Sequence, residues 1–479
     1  MVLSFNSKYK NLIFLILFFH ITVLKLNGQS LSIASKINSI LSSLPSNTVS
    51  SIFIFDPNSK DTVYAKNIHR PMIPASNTKL FTTAVALDLL GGEFKISTKI
   101  FTDDIDLSDG IINGNLYIKG FGDATFSSQD LDSLVKQIDS LGIKKITGNI
   151  VGDDTYFDNI YSRDDWIIQE RANVTLPPVS ALVLNRNKIV LKLYANRKTR
   201  RKLGFKVFPN YSFVKVKMNA RVTKFRARPR ITYHLSNQRL TIKVSGGLRK
   251  RRYPKSYAIF PDNPPLFVAL VLKEKLKSHN INITGKALTG STPSTAELIG
   301  SRSIKLKKMI SLINKNSDNF LAECLFKIIG ANFSGSQGNS FYATQAILSY
   351  INDNGIYNEG SSIVDGSGIS RYNTITTSAI VELLDEIYFK KEIFTDFYNS
   401  LSVSGVDGTL KDRLYSNVTL KNFRGKTGTL NGVSAISGYL TTQNGKDLII
   451  SIIMEFKKFG GNFYRNIQDK IIEELAKSN

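Results

Sequence analysis

Pro74-Ala75-Ser76-Asn77-Thr78-Lys79 opens a helix-forming run that continues to Leu90, where Gly91-Gly92 should stop it. The spacing predicts Ser76 at a helix N-terminus, with Lys79 one turn further on and on the same face, so their side chains can touch. Alone this string says little, because Ser7, Ser133 and Ser212 also head a serine-x-x-lysine. Two further strings follow in order, Ser317-Asp318-Asn319 and Lys426-Thr427-Gly428. Read singly, the three are an N-cap, a helix cap before Phe320 and a polar turn. Read together, they supply a nucleophile, a base, a proton shuttle and a receptor for a carboxylate.

A free lysine has a pKa of about 10.4, but burial and a second nearby cation favour its neutral form. A neutral Lys79 can take the proton of Ser76 as that hydroxyl attacks a carbonyl, and Lys426 is the candidate second cation. Ser317 can relay a proton to a leaving amine, and the Asn319 amide can bind a substrate backbone. The third string is expected just before an edge of the central sheet. There Gly428 would let a ligand backbone approach, while Lys426, Thr427 and Thr429 offer one positive charge and two hydroxyls to a carboxylate. A peptide ending in a carboxylate could lie along that edge as an added strand. The N–H groups of Ser76 and Thr429 would form an oxyanion hole, aided by the helix N-terminus. Rival chemistries are poorly supplied: His69, His234 and His279 form no H-E-x-x-H pattern, and no G-x-S-x-G elbow is present.

The surrounding pattern reads as two textures. Apolar residues at Ile33, Ile37, Ile40, Leu41 and Leu44 predict a first helix over Leu31 to Leu44. Ser51 to Phe55 and Thr62 to Ala65 flank Asp56-Pro57-Asn58-Ser59 as a hairpin. From about Lys95 to Glu297 short strands dominate, among them Lys99 to Thr102, Asn115 to Lys119, Lys145 to Val151, Ile189 to Tyr194, Ser212 to Met218 and Leu240 to Val244. One helix, Gln129 to Ser140, interrupts them. Helices resume over Ile304 to Leu312 and Asn319 to Ile329, followed by strands Ser434 to Leu440 and Leu448 to Phe456 and a last helix from Phe463 to Ala476. The expected division is a leader over 1–28, a catalytic domain from 29–94 and 298–479, an inserted domain from 95–185 and 253–297, and a nested basic, mainly β domain over 186–252.

With 479 residues and 42% hydrophobic content, the chain can bury two or three cores. Lys8 and Lys10 precede an apolar run from Leu12 to Leu24, and Gly28 stands before Gln29, which reads as a secretory signal. The alternative is a membrane anchor ending at Lys25, although the run is short for a span. The single cysteine, Cys324, cannot form an internal disulfide and is expected buried on a helix. The formal net charge of +25 is concentrated: from Arg171 through Pro261 there are 24 Lys and Arg and no Asp or Glu. Arg197-Lys198, Arg200-Arg201-Lys202 and Arg249-Lys250-Arg251-Arg252 are its densest clusters. Such a segment suits nucleic acid, anionic lipid or an acidic polymer. In an exported protein this points to an anionic cell-wall polymer or membrane surface rather than nucleic acid, and a solvated face with no partner is the bland alternative.

On its three strings the chain resembles the D-alanyl-D-alanine carboxypeptidase/endopeptidase family, the class C low-molecular-mass penicillin-binding proteins of the peptidase S13 group. The long interval from Lys79 to Ser317 is similar to that family's large insertion and unlike class A β-lactamases. Pro177-Pro178-Val179-Ser180-Ala181-Leu182 and Asn185-Arg186-Asn187 resemble its internal signature. Asp365-Gly366-Ser367-Gly368-Ile369-Ser370-Arg371 and Gly405-Val406-Asp407-Gly408-Thr409-Leu410 resemble its turns, and Lys119-Gly120-Phe121-Gly122-Asp123 is a weaker echo. The acid-free run is more extreme than the family pattern requires.

The resemblance implies a transpeptidase/β-lactamase-like α/β/α sandwich with an antiparallel central sheet, split by a mainly β insertion. It implies Ser76 as the acylated nucleophile, Lys79 as general base, Ser317 and Asn319 as shuttle and substrate clamp, and Lys426, Thr427 and Thr429 as carboxylate binders. Asp318 is assigned no role. Gly366 and Gly368 are expected to permit positive φ in a turn, while Arg371 and Asp407 either support the site or form surface salt bridges. The implied activity removes the terminal D-alanine of peptidoglycan stem peptides, or cuts the D-alanyl cross-link, with penicillin acylating Ser76 and no metal or organic cofactor. The alternatives are a β-lactamase or esterase of the same fold, and a non-catalytic wall-binding protein acting through the basic insert.

Overall fold

The computed structural model describes residues 32–104, 106–107, 109–168, 176–195 and 202–478. The expected leader over 1–28 and the basic residues Arg197 to Arg201 lie outside them. Val49–Asp56 (β1) and Asp61–Lys66 (β2) form the expected hairpin. Its turn closes because the Asp56 carboxylate accepts from the Asn58 and Ser59 N–H groups at 2.9 and 3.2 Å, which is how an aspartate initiates a turn. On its other side β1 pairs with Asp447–Glu455 (β21). The sheet continues through Val433–Thr441 (β20) and Phe423–Leu430 (β19) to the short strand Ser402–Val403 (β18), and every pairing is antiparallel.

β20 and β21 are buried along nearly their whole length, so the sheet must be covered on both faces. Period-two alternation divides their apolar residues between two cores. Ile52, Ile54, Ile450 and Ile452 pack with the helices Ile33–Leu41 and Gly461–Ala476. Phe53, Ile449 and Ile453 pack with the helices Thr78–Leu90, Asn319–Ser334 and Thr377–Phe389. Each fully buried Ile or Leu contributes roughly 2 kcal/mol relative to exposure, so neither layer is dispensable. The result is an α/β fold of helices, antiparallel sheet and helices.

The helix Thr78–Leu90 is buried on every side from Thr78 to Leu87, as an all-round apolar helix must be. Gly91 ends it at φ 73°, its N–H reaching the Leu87 carbonyl at 2.9 Å. Cys324 is buried within Asn319–Ser334, as expected.

Between the first and second strings lie further sheets. One has the order β16-β7-β5-β3-β17, from Ala287–Thr289 (β16), Ile150–Asp153 (β7), Leu116–Gly120 (β5), Lys95–Thr102 (β3) and Glu297–Lys305 (β17). The ladder of β17 with β3 runs to Lys305, past the boundary expected at residue 298. Accordingly Ile304 closes a strand, and the helix expected from it begins at Leu306 and runs to Asn316. The strand expected over Lys145 to Val151 is likewise divided. Lys145–Ile146 (β6) joins a small parallel sheet with Ile111–Ile112 (β4) and Asn282–Ile283 (β15), whereas β7 belongs to the larger one. The break falls at Gly148, where a Cβ would stand 2.3 Å from the Gly114 carbonyl oxygen. The helices Ser128–Ser140 and Pro264–Ser278 share a core with these strands.

The basic segment is built from β8 (Ile189–Tyr194), β9 (Gly204–Phe208) and β14 (Lys255–Ile259) in one antiparallel sheet. A second sheet is organised on the long strand β13 (Arg239–Arg249). β10 (Val214–Met218) and β11 (Arg221–Thr223) pair with β13 in parallel, and β12 (Pro229–Ser236) pairs with it antiparallel. Among the described residues no helix is long and apolar enough to cross a membrane.

Candidate active site

Ser76 lies in a single tight turn, Ala75–Asn77, that runs straight into Thr78–Leu90. Ala75 takes φ 48°, a conformation alanine adopts only under constraint. The constraints are visible. Thr78 Oγ1 donates to the Ala75 carbonyl at 3.0 Å, and Asn77 Nδ2 donates to Ser437 Oγ on β20 at 2.8 Å. Gly368, at φ 76°, leaves room for the Ala75 carbonyl, which a Cβ there would approach to 1.9 Å. Gly428 lies beneath the same turn, where a Cβ would meet the Pro74 oxygen at 2.8 Å and the Ala75 Cβ at 3.1 Å. The bareness of Gly428 thus accommodates the nucleophile turn. One expectation is corrected. Gly366 is not at positive φ; it lacks a side chain because a Cβ would meet Phe326 Cβ at 2.5 Å.

Lys79 is fully buried, and its ammonium nitrogen has three partners: Ser76 Oγ at 2.9 Å, Asn319 Oδ1 at 2.6 Å and the Ser367 carbonyl at 2.5 Å. Burial lowers its pKa to about 8, against the opposing pull of Asp365, Glu323 and Asp318. A neutral amine has two hydrogens and one lone pair. Two of the three partners, an amide oxygen and a carbonyl, can only accept. The lone pair is therefore left for the one partner with a hydrogen to give, the Ser76 hydroxyl. Lys426, also fully buried, donates to Ser317 Oγ and to the Thr427 carbonyl, both at 2.7 Å. Its pKa is pushed well down by burial and then by the charge of Lys79. Burial, more than a second cation, thus accounts for the softening of Lys79.

Ser317 caps the helix Leu306–Asn316 at φ 53°, and Asp318 caps the next, Asn319–Ser334, accepting from the Leu321 N–H at 3.1 Å. This left-handed corner brings Ser317 to Lys426 and Asn319 to Lys79. Asp318, to which the sequence assigned nothing, also takes a two-pronged contact from Arg186 at 2.6 and 2.9 Å. Arg186 stands in a run of three left-handed residues, Asn185 to Asn187, with its guanidinium 5.0 Å from the Phe320 ring centre.

The Lys426-Thr427-Gly428 string lies within β19 rather than before the edge. The edge itself is beside it, because β18 pairs only with Arg424 and Gly425. Ser404 N–H reaches the Phe423 carbonyl on the β18 side at 2.9 Å, so by alternation the main-chain groups of Thr427 and Thr429 point to the same, open side. The Lys426 side chain and the bare Cα of Gly428 face the nucleophile turn, and the side chains of Thr427 and Thr429 the opposite face. There Thr427 Oγ1 donates to Thr409 Oγ1 at 2.8 Å.

Asp407 supports this region. It pairs with Lys315, two residues before Ser317, at 2.5 Å and accepts from the Val403 N–H at 2.9 Å. Arg371 donates to the Asn431 carbonyl in the β19–β20 turn. Sequence reasoning overlooked Glu323 and gave Asp365 no role beyond its turn; both are buried behind Lys79. Glu323 accepts from the Ser367 N–H at 2.8 Å, and Asp365 accepts from the Gly368 and Ser370 N–H groups at 2.7 and 2.8 Å. Burial, joined for Glu323 by the facing Asp365, raises both carboxyl pKa values. A signal existed for Glu323, which follows Asn319 by four residues on one helix face.

A profile of the D-Ala-D-Ala carboxypeptidase 3 (S13) family matches residues 33–478. The chain is 27% identical over 381 residues to D-alanyl-D-alanine carboxypeptidase DacB of Haemophilus influenzae, covering 78% of each. It is 27% identical over 446 residues to the D-alanyl-D-alanine carboxypeptidase of Actinomadura sp. (strain R39), covering 89% of this chain and 81% of the relative. The crystal structure of penicillin binding protein 4 (dacB) from Haemophilus influenzae has the same fold, with a TM-score of 0.80 at 23% identity over 92% of this chain and 98% of that one. The same protein complexed with a β-lactam gives a TM-score of 0.77 at 23% identity, covering 92% of this chain and all of that one. The chain belongs to the D-Ala-D-Ala carboxypeptidase 3 (S13) family.

Proposed function

We propose that this protein is an exported serine-type D-alanyl-D-alanine carboxypeptidase, D-alanyl endopeptidase or both, acting on peptidoglycan stem peptides through an ester at Ser76. The observation that carries the reading is the contact of Lys79 Nζ with Ser76 Oγ, 2.9 Å apart, from which the neutral amine can take the hydroxyl proton. The Ser76 oxygen attacks the carbonyl carbon of the D-alanyl bond while its proton passes to Lys79 Nζ. Negative charge on the carbonyl oxygen is received by the N–H groups of Ser76 and Thr429. The substrate carboxylate docks at the β19 edge near Lys426, Thr427 and Thr429, and Asn319 holds the peptide backbone. Collapse expels the amine of the terminal D-alanine, or of the cross-link, which gains a proton through Ser317 and Lys426. Water then attacks the ester, releasing the shortened peptide and returning the proton to Ser76.

On this reading the catalytic unit is 29–94 with the chain from Leu306 onward, since β17 belongs to the sheet between them. The names of the relatives and the β-lactam bound to one of them favour the same substrate class and covalent capture of penicillin. Digestion of purified muropeptides followed by mass analysis tests it. Loss of D-alanine from monomers and conversion of dimers to monomers are the expected products. Either activity persisting undiminished in Ser76→Ala would sink the mechanism.

A further inference from the structure

The 24 basic residues between Arg171 and Pro261 leave 39 elsewhere to balance 38 acidic ones, so the net charge of the protein resides in the insert. The sheet on β13 shows how part of it is arranged. Its inner face, with Leu240, Ile242 and Val244, is buried. On the outer face Lys217 of β10 stands in register beside Lys243 of β13, and Lys243 beside Thr232 of β12. One step along, Lys215 stands beside Thr241, and Arg230 faces Ser245. Like charges side by side on neighbouring strands are destabilising. A second such pair, Lys192 and Lys206, stands in register between β8 and β9. Among the described residues Lys215, Lys217 and Lys243 form no ion pair. Asp262, beside the end of β12, is engaged by His234 at 2.5 Å and by the Leu235 N–H at 2.9 Å.

We infer that this face binds a phosphodiester-linked polymer. The cations are spaced about 6.6 Å along a strand and about 4.8 Å between strands, with hydroxyls set between them. Lysine acts as a point charge toward phosphate. A hollow of about 320 Å³ is lined by Lys217, Thr232, His234, Thr241 and Lys243, so several donors converge on one volume. Repulsion between unpaired lysines is relieved when an anion bridges them, and release of the polymer's counterions adds to affinity. Beside these cations and hydroxyls the hollow's lining includes the rings of Tyr233 and His234. The proposal rests on the proposed wall enzyme only for the choice of polymer, and the binding test is independent of catalysis.

The test is binding of the whole protein to labelled synthetic poly(glycerol phosphate) over a salt series. Polygalacturonate and phosphatidylcholine vesicles containing phosphatidylglycerol serve as competing anions. The phosphate polymer should bind tightest, and Ser76→Ala should bind as the unaltered protein does. Lys215→Ser/Lys217→Ser/Lys243→Ser should reduce the salt slope by about 2, and the single Lys217→Ser by about 0.7. Three exposed lysines elsewhere, Lys66, Lys136 and Lys457, replaced together by serine should leave binding within twofold. Equal weakening by both triple variants, tighter binding of vesicles or polygalacturonate, or no binding of the phosphate polymer would overturn the proposal. Ser76→Ala retaining binding while losing peptidase activity separates this outcome from that of the catalytic reading.

Discussion

Arg186 grips both oxygens of Asp318, at 2.6 and 2.9 Å, across 132 residues of chain. The pair joins the left-handed Asn-Arg-Asn turn to the corner that carries Ser317 and Asn319. Because Arg186 is partly exposed, the ion pair itself should contribute only about 0.5–1 kcal/mol. Its effect on positioning should be larger. Arg186→Ala is expected to lower kcat/KM on a D-alanyl-D-alanine peptide by about 10–100-fold with little change in unfolding temperature. Arg186→Lys, unable to form the fork, should recover only part. Steady-state kinetics with thermal unfolding decides; a loss of stability that matches the loss of activity would refute a positioning role.

Protonated Lys79 cannot act as a base, so acylation should be slow below its pKa. With that value near 8, the rate of penicillin acylation should rise about tenfold per pH unit up to pH 7 and level off above 8. Lys79→Met should lower it by about 10³–10⁴-fold. Stopped-flow or quenched labelling across pH 5.5–9 measures this, and a flat profile would remove Lys79 as base.

The same shift has a stability consequence of defined sign. Below pH 8 Lys79 is charged in both folded and unfolded chains, and the penalty of burying that charge is complete. Between about 8 and 10.5 the folded form has released the proton while the unfolded form retains it, so the wild type gains stability as pH rises. Relative to Lys79→Met, the gain should be about 1.4 kcal/mol per pH unit across that window. Release of Lys426 from its repulsion in the variant acts in the same direction. Urea unfolding of both proteins between pH 7 and 10.5 provides the comparison, and an unchanged difference would contradict the shift.

Adding one methyl at Gly428 should push the Pro74–Ala75 main chain by a few tenths of an ångström. Gly428→Ala is expected to fold, yet to acylate about 10–100-fold more slowly. Gly368→Ala combines positive φ with a 1.9 Å approach to the Ala75 oxygen, so it should destabilise by about 3 kcal/mol. The unfolding temperature should therefore fall further in Gly368→Ala than in Gly428→Ala, with labelling slowed in both.

Labelled penicillin distinguishes the peptidase from a lactamase of the same fold. A long-lived adduct on Ser76, absent from Ser76→Ala, is the expected result. Rapid release with turnover of the antibiotic would favour the lactamase.

Much of this site was legible in the sequence because its residues come from three compact strings, each at a helix start or on a strand. The turn residues Asp56 to Ser59, the stop at Gly91 and the alternation of β20 and β21 are local signals, and local signals locate elements. What escaped was long-range. Nothing near Gly428 announces that Pro74 will lie against it, and Asp318 gives no sign of Arg186. The division at Gly148 depends likewise on the Gly114 carbonyl of another segment. Glu323 is the exception, a partner readable from helical spacing and overlooked because a buried acid behind a lysine resembles an ordinary ion pair.

β18 ends where the outward-pointing groups of Thr427 and Thr429 begin, and Gly432 turns the chain back soon afterwards. On the proposed reading, that leaves a docking ledge at most two outward positions long, and Lys426 already holds the Thr427 carbonyl at 2.7 Å. A bound peptide would pair there only through its last residues, and an edge so short offers neighbouring molecules too little strand for edge-to-edge self-association.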